Sequence, residues 1–334
     1  MQVKYGKLYV FQWHMTHRCN LRCRHCYLDE YAAEPTEIEL MSVLGRIIQF
    51  LTERQAMAEI DLTGGEPFAS PQFFKVLQWL EYEPRIENVK IMTNGTLLND
   101  EILTKLKTYK KVVAIQISID GIEKTHDAIR GKGNFDKAVN GIRLLHKHGY
   151  FNVVSFTANR LNYKEFGEVA KIVIEAGADR VWTDRVVPLG DVDKKKDIID
   201  NLVMTPDEFI EYIDIIRHAR EKNDNVRATR SLQYLDIDTP FRHICGAGKA
   251  AFTITADCEL MPCRRLEENY GSVLEKPISQ ILSENKNRTA EILRIPDRCK
   301  ECDKVDICKG GAKCQTCAVY GDYNHPDPNC RFCK

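Results

Sequence analysis

The chain of 334 residues lacks any long hydrophobic run, and no stretch approaches the roughly 20 apolar residues of a bilayer-spanning helix. Its first residues, Met-Gln-Val-Lys-Tyr-Gly-Lys, lack the apolar segment of a signal peptide. The chain also lacks an excess of charge, because 48 Lys and Arg residues balance 48 Asp and Glu residues. These absences predict a cytoplasmic protein whose partners include neither a membrane nor nucleic acid.

Cysteine is missing from the whole stretch between residues 27 and 244, although the chain contains 13 cysteines. Three of them precede this gap, and all the others follow it. A fold held by disulfides would spread its cysteines more evenly, and disulfides are rare in reducing compartments. The two groups of cysteines therefore indicate metal binding.

The first group, Cys19, Cys23 and Cys26, has the spacing C-x3-C-x2-C, and we refer to it as the cysteine triad. That segment offers no fourth thiolate, so it cannot complete the tetrahedral site of a structural zinc ion. Three thiolates can hold three irons of a 4Fe–4S cluster and leave the fourth iron open to a reacting molecule. We therefore expect a reactive iron–sulfur cluster at this position.

From residue 8 to about residue 225, short apolar runs alternate with longer amphipathic ones, as in successive β-then-α units. Six units predict an α/β fold, a partial (β/α)6 barrel resembling part of a TIM barrel, with an open doubly wound sheet as the alternative. The predicted strands are Leu8–Met15, Glu59–Thr63, Val89–Thr93, Val113–Ile119, Asn152–Thr157 and Arg180–Asp184. The predicted helices are Thr36–Arg54, Phe73–Glu81, Glu101–Lys107, Phe135–His148, Lys164–Glu175 and Pro206–Lys222.

The texture of the chain changes after about residue 225, where apolar periodicity weakens and cysteine, glycine and proline become frequent. We therefore predict two domains, a barrel over residues 1–225 and a small Cys-rich domain over residues 226–334. Metal clusters would supply much of the core of the second domain.

Polar residues and glycine follow the predicted strands, at the end where the active site of a βα barrel forms. The cysteine triad follows the first strand. The next strands lead into Thr63-Gly64-Gly65-Glu66-Pro67, Thr93-Asn94-Gly95, Ser118-Ile119-Asp120-Gly121, Thr157 and Arg185. We expect these groups to surround a single mouth of the barrel.

The triad, the Gly-Gly-Glu-Pro run, the Ser-Ile-Asp-Gly segment and the stretch from His126 to Gly131 resemble the radical S-adenosylmethionine (SAM) enzymes. The resemblance implies that the triad holds a 4Fe–4S cluster whose open iron chelates the amino and carboxylate groups of SAM. It also implies that Gly64, Gly65 and Glu66, with Asn94 beside them, contact the methionyl amino group of SAM. Ser118 and Asp120 would lie near the ribose or sulfonium, and Arg130 or Arg185 would pair with the methionyl carboxylate. The backbone around Tyr27 would meet the adenine.

The later cysteines are similar to the SPASM extension of radical SAM enzymes, which carries two auxiliary 4Fe–4S clusters. Six positions fit its pattern, whereas Ala312 stands where a cysteine is expected and Cys258 where glycine is common. The resemblance implies one cluster on Cys299, Cys302, Cys308 and Cys330, and another on Cys245 and Cys263 with further ligands from Cys314, Cys317 and Cys258. Cys333 would then be a spare cysteine. A zinc ribbon is the rival interpretation of the C-x2-C spacing.

The resemblance implies reductive cleavage of SAM to a 5′-deoxyadenosyl radical, which abstracts hydrogen from a substrate. We expect a ribosomally synthesised peptide or protein as substrate, matured by crosslinking, oxidation or a related step, and a flavodoxin- or ferredoxin-type reductant. Only 18 residues precede Cys19, so the barrel mouth or a separate peptide-recognition protein would bind the peptide. The alternatives are a small molecule such as a porphyrin or cofactor precursor, and a non-enzymatic iron–sulfur electron carrier. The sequence assigns no catalytic acid or base.

Overall fold

The computed structural model describes residues 7–26, 28, 34–228, 232 and 245–333. The strands in this part of the chain are β1 Leu8–His14, β2 Met57–Thr63, β3 Ile86–Thr93, β4 Val112–Ser118, β5 Asn152–Ala158, β6 Arg180–Arg185, β7 Val226–Ala228, β8 Ala251–Ile254, β9 Glu259–Met261 and β10 Gly271–Ser272. They form one sheet in the order β10-β9-β8-β1-β2-β3-β4-β5-β6-β7.

Strands β1 to β7 pair in parallel, each with the next strand along the chain. A doubly wound sheet reverses its strand order at a switch point, and the order from β1 to β7 contains no reversal. The predicted partial barrel and its six predicted strands are therefore confirmed, with small shifts at the strand ends. The open doubly wound alternative is wrong.

The α-helices of the described residues are α1 Glu37–Glu53, α2 Phe73–Tyr82, α3 Asp100–Leu106, α4 Glu123–Arg130, α5 Asn134–Lys147, α6 Phe166–Glu175, α7 Val192–Asn201, α8 Pro206–Lys222, α9 Ile278–Glu284, α10 Lys286–Ile292, α11 Val305–Cys308 and α12 Lys313–Tyr320. All six predicted helices are present. Helices α4 and α7, which are both rich in charged residues, were not predicted, and neither were the short helices α9 to α12. Among the described helices, none combines the length and the apolar character required to cross a bilayer.

Helix α1 shows how local sequence sets the barrel's outer layer. Thr36 and Glu39 form a capping box, in which each side chain accepts a hydrogen bond from the other residue's backbone N–H. Six apolar side chains of α1 are buried, and Phe50 packs edge-to-face on Phe11 of β1. The outer face of the sheet is thus covered by an apolar helix stripe.

The inner face of the barrel is polar and only partly buried. Along β1 and β2, Phe11 and Ile60 point outward and are fully buried, whereas the adjacent Gln12 and Asp61 point inward and stay partly exposed. Gln12 and Asp61 are register partners. This alternation gives the barrel a lumen that is lined by polar side chains and admits solvent.

Residues beyond the predicted domain boundary at 225 extend the barrel sheet at both edges. Strand β7 pairs with β6, and β8 pairs in parallel with β1. The turn between β8 and β9 contains Cys258 in the left-handed conformation with φ 62°, which explains why glycine suits this position. The division into domains of 1–225 and 226–334 stays a prediction.

Candidate active site

The cysteine triad lies on the loop that follows β1, and each of its three sulfurs accepts a hydrogen bond. Hydrogen bonds to sulfur stabilise thiolates and adjust the potential of an iron–sulfur cluster. The donors are the backbone N–H of Leu21 for Cys19 (3.4 Å), Nη1 of Arg130 for Cys23 (3.9 Å) and the backbone N–H of Leu28 for Cys26 (3.5 Å). The triad therefore has the surroundings of three thiolate ligands.

Burial raises the pKa of the Cys19 thiol to about 11 and moves the pKa of Cys23 in the same direction. Thiols with a raised pKa lose their protons readily only when a cation binds to the sulfur. Within the described ranges, no three His, Cys, Asp or Glu side chains surround one point closely enough to hold a single metal ion. The donor set of the triad fits three corners of a 4Fe–4S cluster.

The Gly64–Gly65 segment after β2 packs directly against the backbone ahead of the triad. The N–H of Gly65 donates to the Thr16 carbonyl (2.9 Å), and the N–H of Glu66 donates to the Arg18 carbonyl (2.7 Å). A Cβ atom on Gly65 would lie 2.3 Å from the Arg18 carbonyl oxygen, and one on Gly64 would lie 2.4 Å from that of Thr16. Only glycine allows this close approach.

The Glu66 carboxylate is fully buried and joins the ends of β2 and β3. It accepts hydrogen bonds from Thr93 Oγ1 (2.7 Å), the Asn94 N–H (2.7 Å) and the Phe68 N–H (3.2 Å). Burial raises the pKa of Glu66 to about 7, against the lowering effect of these donors. The carboxylate thus fixes the mouth of the barrel, while contact with the amino group of SAM stays a prediction.

Asn94 connects β3 to the loop that carries the triad. Its Nδ2 donates to Asn20 Oδ1 (2.9 Å), beside Cys19, and its Oδ1 accepts from the Thr96 N–H (2.9 Å). Asn20 in turn donates to Thr96 Oγ1 (2.8 Å). The ends of β1, β2 and β3 therefore form one hydrogen-bonded network.

Asp120 and Arg130 extend this network to the next strands. Asp120 is fully buried, pairs with Arg130 Nε (2.5 Å) and accepts from the Thr157 N–H at the end of β5 (2.9 Å). Burial would raise the pKa of Asp120, but the Arg130 guanidinium and the His25 imidazole hold it below its usual range. An ionised Asp120 orients Arg130 toward Cys23, and the partly exposed Ser118 ends β4 two residues earlier.

Arg185 lies outside this network. Its guanidinium is buried and pairs with Asp327 and Asn329, so it fastens the end of β6 to the C-terminal segment. Of the two arginines predicted for the methionyl carboxylate, Arg130 is the one that contacts the triad. Tyr27, predicted to meet the adenine, lies outside the described residues.

A cavity of about 500 Å³ lies between the barrel lumen and the Cys-rich region. Gln12 and Asp61 line it from the barrel, and Cys245, Cys263 and Cys314 line it from the other side. Oδ1 of Asp61 is buried and has no hydrogen-bond partner among the described residues, and burial raises the pKa of Asp61 to about 6. Asp61 is not among the predicted site residues, although a carboxylate between Ile60 and Leu62 on a predicted strand could have indicated it.

Five cysteines surround a second, much smaller cavity of about 10 Å³, and one of them, Cys308, also lines the large cavity. These are Cys299, Cys302, Cys308, Cys330 and Cys333. Cys258 and Cys317 line neither cavity: Cys317 lies near the Tyr323 hydroxyl, and Cys258 is buried in its turn.

Comparison with known proteins supports the chemistry that the triad indicates. Residues 13–173 match the model of the radical SAM superfamily. The chain is 27% identical over 326 residues to the antilisterial bacteriocin subtilosin biosynthesis protein AlbA of Bacillus subtilis (strain 168), covering 92% of this chain and 66% of AlbA. It is 26% identical over 374 residues to the Fe-coproporphyrin III synthase of Methanosarcina barkeri (strain Fusaro / DSM 804), covering 100% of this chain and 90% of that protein.

Among solved structures, native anSMEcpe with bound AdoMet and a peptide has a similar fold. The TM-score is 0.77 over 98% of this chain and 94% of that structure, at 18% identity, a level that speaks to the fold alone. The radical SAM match over residues 13–173 makes the alternative of a non-enzymatic electron carrier wrong. The chain is a radical SAM enzyme, and its relatives include peptide maturases and heme synthases.

Proposed function

We propose that this enzyme binds a 4Fe–4S cluster on the cysteine triad, cleaves SAM and acts on a ribosomally made peptide. When bound, the cluster delivers the electron that splits SAM into methionine and a 5′-deoxyadenosyl radical, which takes a hydrogen atom from the substrate to give 5′-deoxyadenosine. The observation that carries the proposal is that three cysteine sulfurs on one loop at the barrel mouth each accept a hydrogen bond.

The chain's own residues hold the reactants and adjust the charge around them. Arg130 donates to Cys23 and is itself held by Asp120, so a positive charge lies beside the triad. This charge suits the methionyl carboxylate of SAM, because a guanidinium can offer several parallel donors. Gly64 and Gly65 bring main chain close to the loop of the triad, where a Cβ would collide with the backbone of Thr16 and Arg18. Asn94 and Ser118 complete this proposed SAM pocket.

The charges around the large cavity favour a peptide over a polycarboxylate such as a porphyrin. Two of the four cations on its wall are already paired with carboxylates: Arg265 with Asp184, and Lys309 with Asp306 (3.1 Å). The third, Lys313, donates to the neutral Arg294 carbonyl (2.6 Å), and the fourth is Lys249. A ligand with several buried carboxylates would therefore find at most these two lysines to compensate its charge. A peptide can instead insert neutral side chains, and the biosynthetic role in the name of AlbA agrees with this choice.

A tetrapyrrole substrate is the second candidate. The Fe-coproporphyrin III synthase of Methanosarcina barkeri matches the whole of this chain and 90% of its own length, whereas the match to AlbA covers 66% of AlbA. A match of full length to an enzyme of that name favours a small-molecule substrate. Two auxiliary 4Fe–4S clusters in the Cys-rich region and an external flavodoxin- or ferredoxin-type reductant belong to either candidate.

Coexpression with a candidate precursor tests the peptide substrate. The short open reading frame nearest this gene would be coexpressed anaerobically with the enzyme, and the intact peptide mass measured. We expect the peptide to lose hydrogen or carbon dioxide with the wild-type enzyme and to stay unchanged with the Cys23→Ala variant. An unmodified peptide from cells in which the enzyme carries its clusters counts against this pairing. Consumption of iron coproporphyrin III together with 5′-deoxyadenosine formation would select the tetrapyrrole instead.

A further inference from the structure

The Cys-rich region contains ten cysteines between residues 245 and 333. Two 4Fe–4S clusters with four thiolates each would use eight of them. The SPASM pattern cannot decide which eight, because Ala312 removes one expected ligand. Their arrangement around the two cavities divides them differently from that pattern.

Four cysteines, Cys299, Cys302, Cys330 and Cys333, form the first thiol group. The thiol of Cys333 lies near those of Cys299 and Cys302, and its backbone N–H donates to Cys330 Sγ (3.4 Å). All four line the small cavity. Cys333 thus lies beside three cysteines of the SPASM pattern, at the same cavity, and is not a spare cysteine.

Cys308 lies between the two cavities and lines both of them. Lys313, which is buried next to it, has Cys299, Cys245 and Cys308 as electrostatic neighbours. Its ammonium is therefore placed to offset negative charge from both groups of thiolates. Without Cys308, four cysteines line the small cavity and three line the large one, so only the large cavity needs Cys308 to reach four thiols.

The second thiol group consists of Cys245, Cys263, Cys314 and Cys308, all of which line the large cavity. Cys263 has Cys245 as an electrostatic neighbour, and Cys314 has Cys263. Ala312 lies in the same cavity wall two residues before Cys314. Cys314 thus presents a thiol on the wall from which the expected cysteine is missing.

We propose that Cys299, Cys302, Cys330 and Cys333 hold one auxiliary cluster, and that Cys245, Cys263, Cys308 and Cys314 hold the other. This assignment rests on the proposed function, which supplies the two clusters. The SPASM pattern assigns Cys308 to the same cluster as Cys299, whereas here it binds the other cluster. Cys333 takes the place of Cys308 in the first cluster, and Cys314 takes the place of the cysteine missing at Ala312 in the second. Cys258 and Cys317 bind no iron.

The Cys333→Ala variant tests the first thiol group. After anaerobic reconstitution, about one third of the 4Fe–4S Mössbauer area should disappear or convert to a 3Fe–4S signal, because one of three clusters loses a ligand. The matched control is Cys317→Ala, which should keep the wild-type iron content and spectrum. A wild-type spectrum from Cys333→Ala, or loss of a cluster from Cys317→Ala, overturns the assignment.

Cys333→Ser keeps the test decisive if the alanine variant fails to fold. A serine hydroxyl can retain the iron but changes its ligand field, so one reduced cluster should show shifted g-values in its EPR spectrum. Unchanged g-values in a folded Cys333→Ser protein overturn the role of Cys333.

Two double-variant backgrounds test the side to which Cys308 belongs. In Cys245→Ala/Cys263→Ala, which retains the first thiol group, adding Cys308→Ala should leave the remaining auxiliary spectrum unchanged. In Cys299→Ala/Cys302→Ala, adding Cys308→Ala should convert the remaining auxiliary cluster to a 3Fe–4S form. The reverse pattern overturns the assignment and supports the SPASM pattern.

These results separate the ligand assignment from the proposed function. A wild-type protein that reconstitutes with the iron of only one cluster refutes the auxiliary clusters themselves. A wild-type protein with three clusters, combined with a Cys333→Ala variant of identical spectrum, refutes only the division of the cysteines.

Discussion

At the scale of single residues, the most demanding contact in the site is between two backbone segments. Gly65 lies against the main chain of Arg18, and its N–H bonds to the Thr16 carbonyl. The loop that carries the triad is therefore shaped by a residue with no side chain. Any Cβ at position 65 must displace either the loop of the triad or the end of β2.

Gly65→Ala should cost the enzyme its cluster while leaving most of the fold intact. The added Cβ would meet the Arg18 carbonyl oxygen at 2.3 Å, which forces the backbone ahead of Cys19 to move. We expect loss of the SAM-binding cluster, measured as reduced iron content, and loss of SAM binding in equilibrium dialysis. The control is Gly45→Ala on the exposed side of α1, where a Cβ meets nothing within 4 Å. It should raise the free energy of unfolding by about 1 kcal/mol. Full iron and SAM binding in Gly65→Ala would contradict this account of the loop.

Asp61 should make the protein less stable as the pH rises. Its folded-state pKa of about 6 lies above the value in the unfolded chain, so its stabilising contribution is complete below about pH 4 and is lost as pH rises through about 6. Burial is the main cause of the raised pKa of Asp61. The Lys90 ammonium lowers this pKa, and the Glu59 carboxylate raises it. Asp61→Asn should therefore raise the free energy of unfolding by roughly 1–2 kcal/mol at pH 7.5, and by less at pH 5.5.

Urea denaturation of wild type and Asp61→Asn at these two pH values checks the prediction. An Asn variant less stable than wild type at pH 7.5 would show that Asp61 has a structural partner in the folded enzyme. A gain in stability with impaired product formation would instead mark Asp61 as a carboxylate kept for the substrate.

At the scale of elements, the strands could be predicted because each is a short run rich in apolar residues, and their order because successive βα units place consecutive parallel strands side by side. The helices could also be predicted, but helical spacing identified only some of the residues on the buried face of α1. Ile38 and Met41 fall at helical spacing with Leu44 and Leu51, yet they are 76% and 54% exposed. Helix α4 was missed because its sequence is largely polar and buries only His126 and Ile129. Its function is to carry Arg130 toward the triad, which no apolar pattern encodes.

The join between β6 and the C-terminal segment contains a buried ion pair. Arg185 and Asp327 are 3% and 0% exposed, and no sequence pattern links positions so far apart. Asp327→Ala would leave a buried guanidinium without its carboxylate and should destabilise the protein by about 3 kcal/mol. Lys147→Ala, which breaks an exposed pair with Asp100, should cost less than about 0.5 kcal/mol. Chemical denaturation measures both variants, and equal small losses would show that the Arg185 pair contributes no more than a surface contact.

At the scale of the whole molecule, the Cys-rich region continues the barrel sheet. Strand β8 pairs with β1, and the large cavity is lined from both sides. The sequence indicated the triad, the strand-end loops and the SPASM-like cysteines, because each has a local spacing. It could not indicate that Asp61 lines the same cavity as the second thiol group, or that Cys308 belongs to that group. Both depend on the packing of segments that are distant in the sequence.

Measuring 5′-deoxyadenosine tests the role of the triad most directly. The anaerobically reconstituted enzyme would be incubated with SAM and dithionite, in parallel with Cys23→Ala and Cys258→Gly. Cys258→Gly removes a thiol outside the triad and places glycine at a left-handed position, so it should behave as wild type. We predict 5′-deoxyadenosine from the wild-type enzyme and from Cys258→Gly, and none from Cys23→Ala. Wild-type enzyme that carries its clusters and forms no 5′-deoxyadenosine, or Cys23→Ala that forms as much as wild type, would contradict the assignment of the triad to SAM cleavage.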